Sequence, residues 1–243
     1  MSRRALVIGT VLVGFATFAA SALGRTVVIG HSVRGRAITA IVRGPDTARR
    51  KILVVGCIHG NECAGLRIVS ALERARVLKG VQLWLVPEAN PDGTAAGTRQ
   101  NAHGVDLNRN FPYQWQRVAN PIYNSGPRPA SEPETRAAMK LIRRLRPAVT
   151  IWYHQHEDLV DMPGGDRGVP RRYAQLAHLR ATCLPFLPGT ATGWSNHTFP
   201  GTTAFVVELP AGAVGAAALA DHVRAVRAME LGQRAGSRTS CAG

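Results

Sequence analysis

Lysine is almost missing from this 243-residue chain: Lys51, Lys79 and Lys140 are the only three. Acidic residues are also scarce, 15 Asp+Glu against 30 Lys+Arg, and aromatic residues make up only 6%. No internal repeat occurs, and no low-complexity tract beyond the alanines at 216–218. Collagen-like, coiled-coil and disordered readings are excluded by that composition. With 45% hydrophobic and 19% charged residues, the length suits one compact domain rather than two. After residue 22 no stretch is long and apolar enough to span a bilayer. The formal net charge of +15 draws the protein towards polyanions and anionic surfaces. Its near-exclusive use of arginine also reflects a coding preference, which explains part of the excess without any function. No nucleic-acid reading motif accompanies the charge, so DNA and RNA are not expected partners.

The first residues speak to compartment. Ser2-Arg3-Arg4 is a basic start, Ala5 to Ala20 an uncharged apolar run, and Ala20-Ser21-Ala22 a small-residue cleavage site, the layout of a secretory signal. Cleavage after Ala22 divides the chain into a signal peptide, 1–22, and a folded domain, 23–243. Losing Arg3 and Arg4 lowers the formal charge from +15 by two, to +13. The run is interrupted by Gly9, Thr10, Gly14 and Thr17 and barely reaches across a bilayer. Left uncleaved, it would be the only membrane anchor. The expected location is therefore exported: periplasmic, cell-envelope or secreted. Export permits disulfides, and Cys57, Cys63, Cys183 and Cys241 allow three full pairings. Buried free thiols at Cys57 and Cys63 are an equal reading.

Strands and helices alternate along the mature chain. Thr26 to Gly30 and Ala37 to Val42 are β-branched runs around a glycine-containing polar connection, and read as a hairpin. Lys51 to Cys57 is a continuous apolar run, the mark of a strand covered on both faces. Helical spacing follows from Glu62 to Leu78, with Leu66, Val69, Ala71 and Leu72 on one side. Val81 to Val86 is a strand closed by Pro87, and a long irregular stretch from Asn90 to Pro133 comes next; loops of that length in compact domains are commonly functional. Ser131-Glu132-Pro133-Glu134 opens a helix to about Arg146. Val149 to Tyr153 and Ala204 to Leu209 are buried strands, and Arg171 to Thr182 and Ala216 to Leu231 are helices. The fold class is α/β: a mixed sheet, parallel in its centre, with helices on both faces.

Chemistry-bearing residues stand where strands end, the place where open α/β sheets put their ligand crevice. His59-Gly60-Asn61-Glu62 follows the strand ending at Cys57 and sets an imidazole and a carboxylate at H-x-x-E spacing. His154 stands at another strand end. Two His and one Glu suit zinc with a position left for water, the open coordination of a hydrolytic site. Glu208 is the one carboxylate in an apolar strand, costly there unless it has a partner or a task, such as carrying the proton of an attacking water. In the long loop, Arg99 and Asp106-Leu107-Asn108-Arg109 offer cations and an amide for a carboxylate or a developing oxyanion. His156 follows two residues after His154 on the same side of a continuing strand and is an alternative ligand. His103 and His197 read as surface residues. Cys57 and Cys63 flank the motif and read as structural rather than as zinc ligands.

In this order, His59 and Glu62, Arg99, Asp106-x-Asn108-Arg109, His154 and Glu208 resemble the zinc carboxypeptidase family. Ile29-Gly30-x-Ser32-x-x-Gly35-Arg36 is similar to the hairpin that opens its catalytic domain. Gly-x-x-His-Gly-Asn-Glu and Gly-Val-Asp-Leu-Asn-Arg-Asn-Phe-Pro are most similar to the murein peptide amidase A branch, which trims bacterial cell-wall peptides. The resemblance spans about Ile29 to Pro210. It implies one zinc ion on His59, Glu62 and His154, with Glu208 as general base and then general acid and Arg99 beside the oxyanion. It also implies that Asn108 and Arg109 hold the free C-terminal carboxylate of a peptide substrate, and that Asp106 orients His59. The mobile-loop tyrosine of digestive carboxypeptidases has no evident counterpart, since no Tyr occurs between Tyr173 and Glu208. The expected function is an exported carboxypeptidase or peptide amidase acting on the C-terminal amide bond, including the γ-D-glutamyl to diamino acid bond of murein. Two alternatives stand beside it. One is a zinc deacylase of N-acyl amino acids of the aspartoacylase and succinylglutamate desuccinylase type. The other is a non-catalytic envelope module that binds anionic wall polymers.

Overall fold

The computed structural model describes residues 24–231. The signal segment read at 1–22 and Cys241 lie outside the described residues. Eight strands form one sheet: β1 Arg25–His31, β2 Ala37–Arg43, β3 Arg50–Cys57, β4 Val81–Glu88, β5 Val149–Gln155, β6 Leu159–Asp161, β7 Arg180–Thr182 and β8 Thr203–Leu209, in spatial order β1-β2-β4-β3-β5-β8-β6-β7. β4, β3, β5 and β8 run parallel to one another, as do β6 and β7, whereas β1, β2 and β6 pair antiparallel with β2, β4 and β8. The sheet is thus mixed with a parallel centre, as the apolar runs predict.

β3 shows why the centre is parallel. Ile52 and Val54 face one core and Leu53 and Val55 the other, all at most 2% exposed, so both faces need cover that crossover helices supply. One core takes Ile68, Val69 and Leu72 of α1 (Gly65–Arg74), Tyr173 of α4 (Gly168–Ala177) and Val226 of α6 (Ala216–Glu230). The other takes Leu141 and Ile142 of α3 (Pro133–Leu145) and Trp194 of α5 (Ala191–Thr198).

α1 is shorter than the predicted Glu62–Leu78 and buries Ile68 where the periodicity pointed to Leu66. Residues 59–64 form a turn instead, closed by the Glu62 amide on the His59 carbonyl at 2.9 Å, and the helix stops where Ala75 becomes extended. The helix expected over Arg171–Thr182 ends at Ala177, because His178 takes a left-handed conformation, and Arg180–Thr182 becomes an edge strand. α5 and β6 lack a clear sequence signal. Within the long loop lie α2 (Pro91–Ala96) and a single 3₁₀ turn, Leu107–Arg109. Asn110 organises the rest: its Nδ2 donates to the carbonyls of Ser125 and Arg128 and to Ser131 Oγ, and its Oδ1 accepts from the Glu132 amide. Among the described residues no helix is long and apolar enough to cross a membrane.

Candidate active site and metal centre

β3, β5 and β8 lie side by side and end at the same edge, so the residues that terminate them come together. His59 leaves β3 on a turn whose Gly60 packs on α2, where a Cβ would collide with the Gly93 backbone. Cys57 and Cys63 form a disulfide across this turn, with Cα atoms 4.8 Å apart, which resolves the two open readings against free thiols. The two cysteines are six positions apart and enclose both residues of the H-x-x-E motif.

Three donor atoms converge. His59 Nδ1 lies 2.8 Å from Glu62 Oε2, and His154 Nδ1 lies 3.1 Å from His59 Nδ1 and 3.2 Å from Glu62 Oε2. They are a group of His, Glu and His ligands within reach of one ion. His59 is 1% exposed and His154 3%. Two imidazole nitrogens and a carboxylate oxygen at such mutual distances suit a cation held between them, and the donor set is one that zinc favours. His156 is exposed and outside the cluster, so His154 is the third ligand candidate.

Electrostatics fit the same reading. Burial lowers the His154 pKa to about 4, so its ring is neutral, the form that binds a metal. Burial also opposes the charged form of His59, but the charges and hydrogen bonds of Asp106 and Glu62 outweigh it and raise its pKa. Burial alone would raise Glu62 and Asp106. Hydrogen bonds from His154 and His59 hold Glu62 well below the usual carboxylate range, and the charge and hydrogen bond of His59 together with Arg99 do the same for Asp106. Asp106, fully buried, accepts from His59 Nε2 at 2.9 Å, from Arg99 Nε at 2.9 Å and from the Asn108 amide at 2.9 Å. An ionised carboxylate only accepts, so Asp106 keeps a proton on His59 Nε2, and loss of the Nδ1 proton shared with Glu62 would free that lone pair for a metal.

Around this centre stand the remaining predicted residues. His154 and Glu208 are register partners on parallel β5 and β8, and therefore share a face of the sheet. Glu208 Oε2 is buried without a hydrogen-bond partner. Burial, then the charges of Glu62 and Glu157, push this carboxyl up to about 7. Arg99 Nη1 donates to Glu62 Oε1 at 2.5 Å. Asn108 is oriented by the Ala191 amide, which donates to its Oδ1 at 2.9 Å and leaves its NH₂ as the free end. Gly189, at φ +70°, lets this segment pass against the Arg109 backbone, where a Cβ would collide with the carbonyl. Arg109 is half-buried, donates Nη1 to its neighbour's carbonyl at 2.8 Å, and has no ion pair among the described residues. His103, exposed, pairs with Glu132, and His197 stacks on Tyr113 at 4.1 Å between centroids, so neither joins the centre.

Residues 17–192 match the family described as zinc carboxypeptidase, a span that holds His59, Glu62, Arg99, Asp106, Asn108, Arg109 and His154. The chain belongs to the zinc carboxypeptidase family. Glu208 lies beyond the matched span. Murein peptide amidase A of Escherichia coli strain K12 is 33% identical over 165 residues, 63% of this chain; the match covers 65% of the length of that amidase. The solved structure of the murein-tripeptide amidase from Escherichia coli O157 superposes with a TM-score of 0.69 at 25% identity, covering 86% of this chain and 92% of the other. Carboxypeptidase A from Helicoverpa armigera gives a TM-score of 0.72 at 18% identity over 86% of this chain and 68% of the other, a likeness of fold. For a zinc carboxypeptidase the cofactor is one zinc ion, and the His59, Glu62 and His154 group fits it. What sequence reasoning missed is the set of supports: the disulfide at the ligand turn, the Ala191 amide behind Asn108, and Tyr123, whose ring lies against Arg99 and Arg109.

Proposed function

We propose that the protein is an exported zinc carboxypeptidase of the peptide amidase kind, which hydrolyses the amide bond before a C-terminal residue that carries a free carboxylate. The observation that carries the reading is the juxtaposition, on neighbouring strand ends, of a three-donor metal group and the half-buried Glu208, whose Oε2 is buried without a partner. His59, Glu62 and His154 would hold zinc, which when bound would supply Lewis acidity to the scissile carbonyl and to water. Glu208 accepts the proton of that water and returns it to the leaving amine; burial raises its carboxyl in the metal-free site, and a bound cation would draw it back towards the carboxylate that a base requires. Arg99 stands beside the developing oxyanion, and Asn108 with Arg109 binds the terminal carboxylate, so that only chain ends are accepted.

The names of the relatives support murein peptides as substrates; the bond proposed is the one between γ-D-glutamate and the diamino acid. Two features support export: the signal-like layout of residues 2–22 and a disulfide, which persists in oxidising compartments. The net positive charge supports residence near anionic wall polymers. The test is a pair of variants. Glu208→Gln retains one zinc per chain by atomic absorption and loses at least about a hundredfold in kcat, in keeping with loss of acid–base catalysis; His59→Ala loses the metal itself. Near-normal turnover in Glu208→Gln would overturn the assignment of the base.

A further inference from the structure

Tyr123 is 43% exposed, and the residues on either side of it are tied down by hydrogen bonds. The Asn120 side chain accepts from the Ile122 and Tyr123 amides, and Gln100 Nε2 donates to the carbonyls of Pro121 and Ile122. On the other side, the Asn124 carbonyl accepts from the Asp106 amide at 2.8 Å and Asn124 Nδ2 donates to the Gly104 carbonyl at 2.9 Å. The Gln100 bonds on one side and the Asn124 bonds on the other run to the segment 99–109, which carries the two arginines. The ring lies 5.3 Å from the Arg99 guanidinium carbon and 5.7 Å from that of Arg109, within cation–π range of both.

Two cations brought to one place repel each other, and here their means of compensation differ. Arg99 has Glu62 and Asp106. Arg109 has no carboxylate within ion-pair distance among the described residues. A carboxylate supplied by the protein at that point would neutralise Arg109 and fill the place meant for a ligand. An aromatic face compensates charge without using N–H donors, so the guanidinium remains available to a carboxylate that arrives from outside.

We propose that Tyr123 is a positioning and specificity-determining residue, whose ring holds Arg99 and Arg109 together as a charge-compensated pair with donors left for the substrate's terminal carboxylate. The proposal rests on the carboxypeptidase reading above and adds to it the residue that sets selectivity for a free chain end. Arg99 is held in place by Glu62 and Asp106 as well, so the effect of the ring falls on Arg109 and on binding of the carboxylate rather than on the reacting bond.

The test uses the full folded domain, zinc-loaded. In the wild type, Tyr123→Leu raises KM for a free-acid peptide by roughly tenfold with kcat nearly unchanged, the scale of a partly desolvated cation–π contact, while Tyr123→Phe retains the wild-type KM. Pentafluorophenylalanine at position 123, which keeps the ring but reverses its electrostatic face, behaves like Leu and covers the case in which Leu disturbs folding. Binding is then measured by calorimetry on the inactive Glu208→Gln background, with a free-acid peptide and its C-terminal amide. The ratio of the two affinities falls roughly tenfold with Leu or the fluorinated ring and is unchanged with Phe. If Glu208→Gln itself binds acid and amide alike, the carboxypeptidase reading fails. If it prefers the acid and neither Tyr123→Leu nor the fluorinated ring alters that preference, the inference about Tyr123 fails alone.

Discussion

Replacing Glu208 by Gln should make the metal-free protein more stable at alkaline pH while it destroys turnover. Glu208 ionises in the unfolded chain near the ordinary value of 4.5, but burial and then Glu62 and Glu157 push it up to about 7 in the fold. Between those two values the folded protein holds a proton that the unfolded chain has released, so stability falls as pH rises through this window, and the full cost stands above about 7. In a sealed site the difference corresponds to about 3 kcal/mol. Glu208 is half-buried, and solvent at its open edge screens part of the penalty, which leaves about 1–2 kcal/mol. The neutral amide has the same shape and no such cost. Urea denaturation of chelator-treated wild type and Glu208→Gln at pH 8 and at pH 4.5 measures it directly. The variant should be more stable by about 1–2 kcal/mol at pH 8, a gain of roughly 3–6 °C in Tm, and the gap should close at pH 4.5, where both side chains are largely neutral in the fold. Equal stability at pH 8 would mean that Glu208 is well solvated, and would remove the argument that the site sacrifices stability to raise its base.

Asp106→Asn leaves the fold intact but no longer dictates which His59 nitrogen carries the proton; zinc affinity, measured by competition with a chromogenic chelator, should fall about 10- to 100-fold. The paired variant Cys57→Ser with Cys63→Ser removes a cross-link around the ligand turn. Loop closure of that length contributes about 2 kcal/mol, so thermal stability should drop in both metal-free and zinc-loaded protein, and zinc should dissociate faster by stopped-flow transfer to a chelator. For the zinc-loaded enzyme, kcat/KM should decline as pH falls and Glu208 takes up a proton. The midpoint should lie below about 7, because a bound cation favours the carboxylate. A profile flat from pH 7 to 4 with full zinc occupancy would exclude Glu208 as the base.

The histidines of the metal group and Glu208 are legible in the amino-acid sequence because each is tied to a simple pattern, and Glu62 because it stands at H-x-x-E spacing from His59. His59, His154 and Glu208 follow or end uninterrupted apolar runs, and parallel strands covered on both faces leave their ends as the exposed chemistry. Glu208 stands out further as a lone carboxylate among apolar neighbours. The start of α1 is not legible, because a turn with its own hydrogen bond and disulfide overrides a helical pattern that begins at Glu62. α5 escapes for the opposite reason: Thr, Gly, Ser and Asn are weak helix formers, and the helix depends on the Thr190 hydroxyl accepting the Gly193 amide and on burial of Trp194. Tyr123 escapes because its neighbours are set by side-chain to backbone bonds across an irregular loop, a relation with no period to read. The cysteine pairing is equally out of reach, since four residues alone allow three connectivities.

The most direct test of a zinc exopeptidase built on His59, Glu62, His154 and Glu208 is mass spectrometry of a mixture containing murein tripeptide, ordinary free-acid peptides and their C-terminal amides, incubated with the zinc-loaded chain from Leu23, with and without chelator. The account predicts loss of a single C-terminal residue from free-acid members, with the amides intact and cleavage abolished by the chelator. Cleavage that persists after complete removal of zinc, or no cleavage of any free-acid member by folded, zinc-replete protein, would contradict it and turn attention to N-acyl amino acids or to wall binding without turnover.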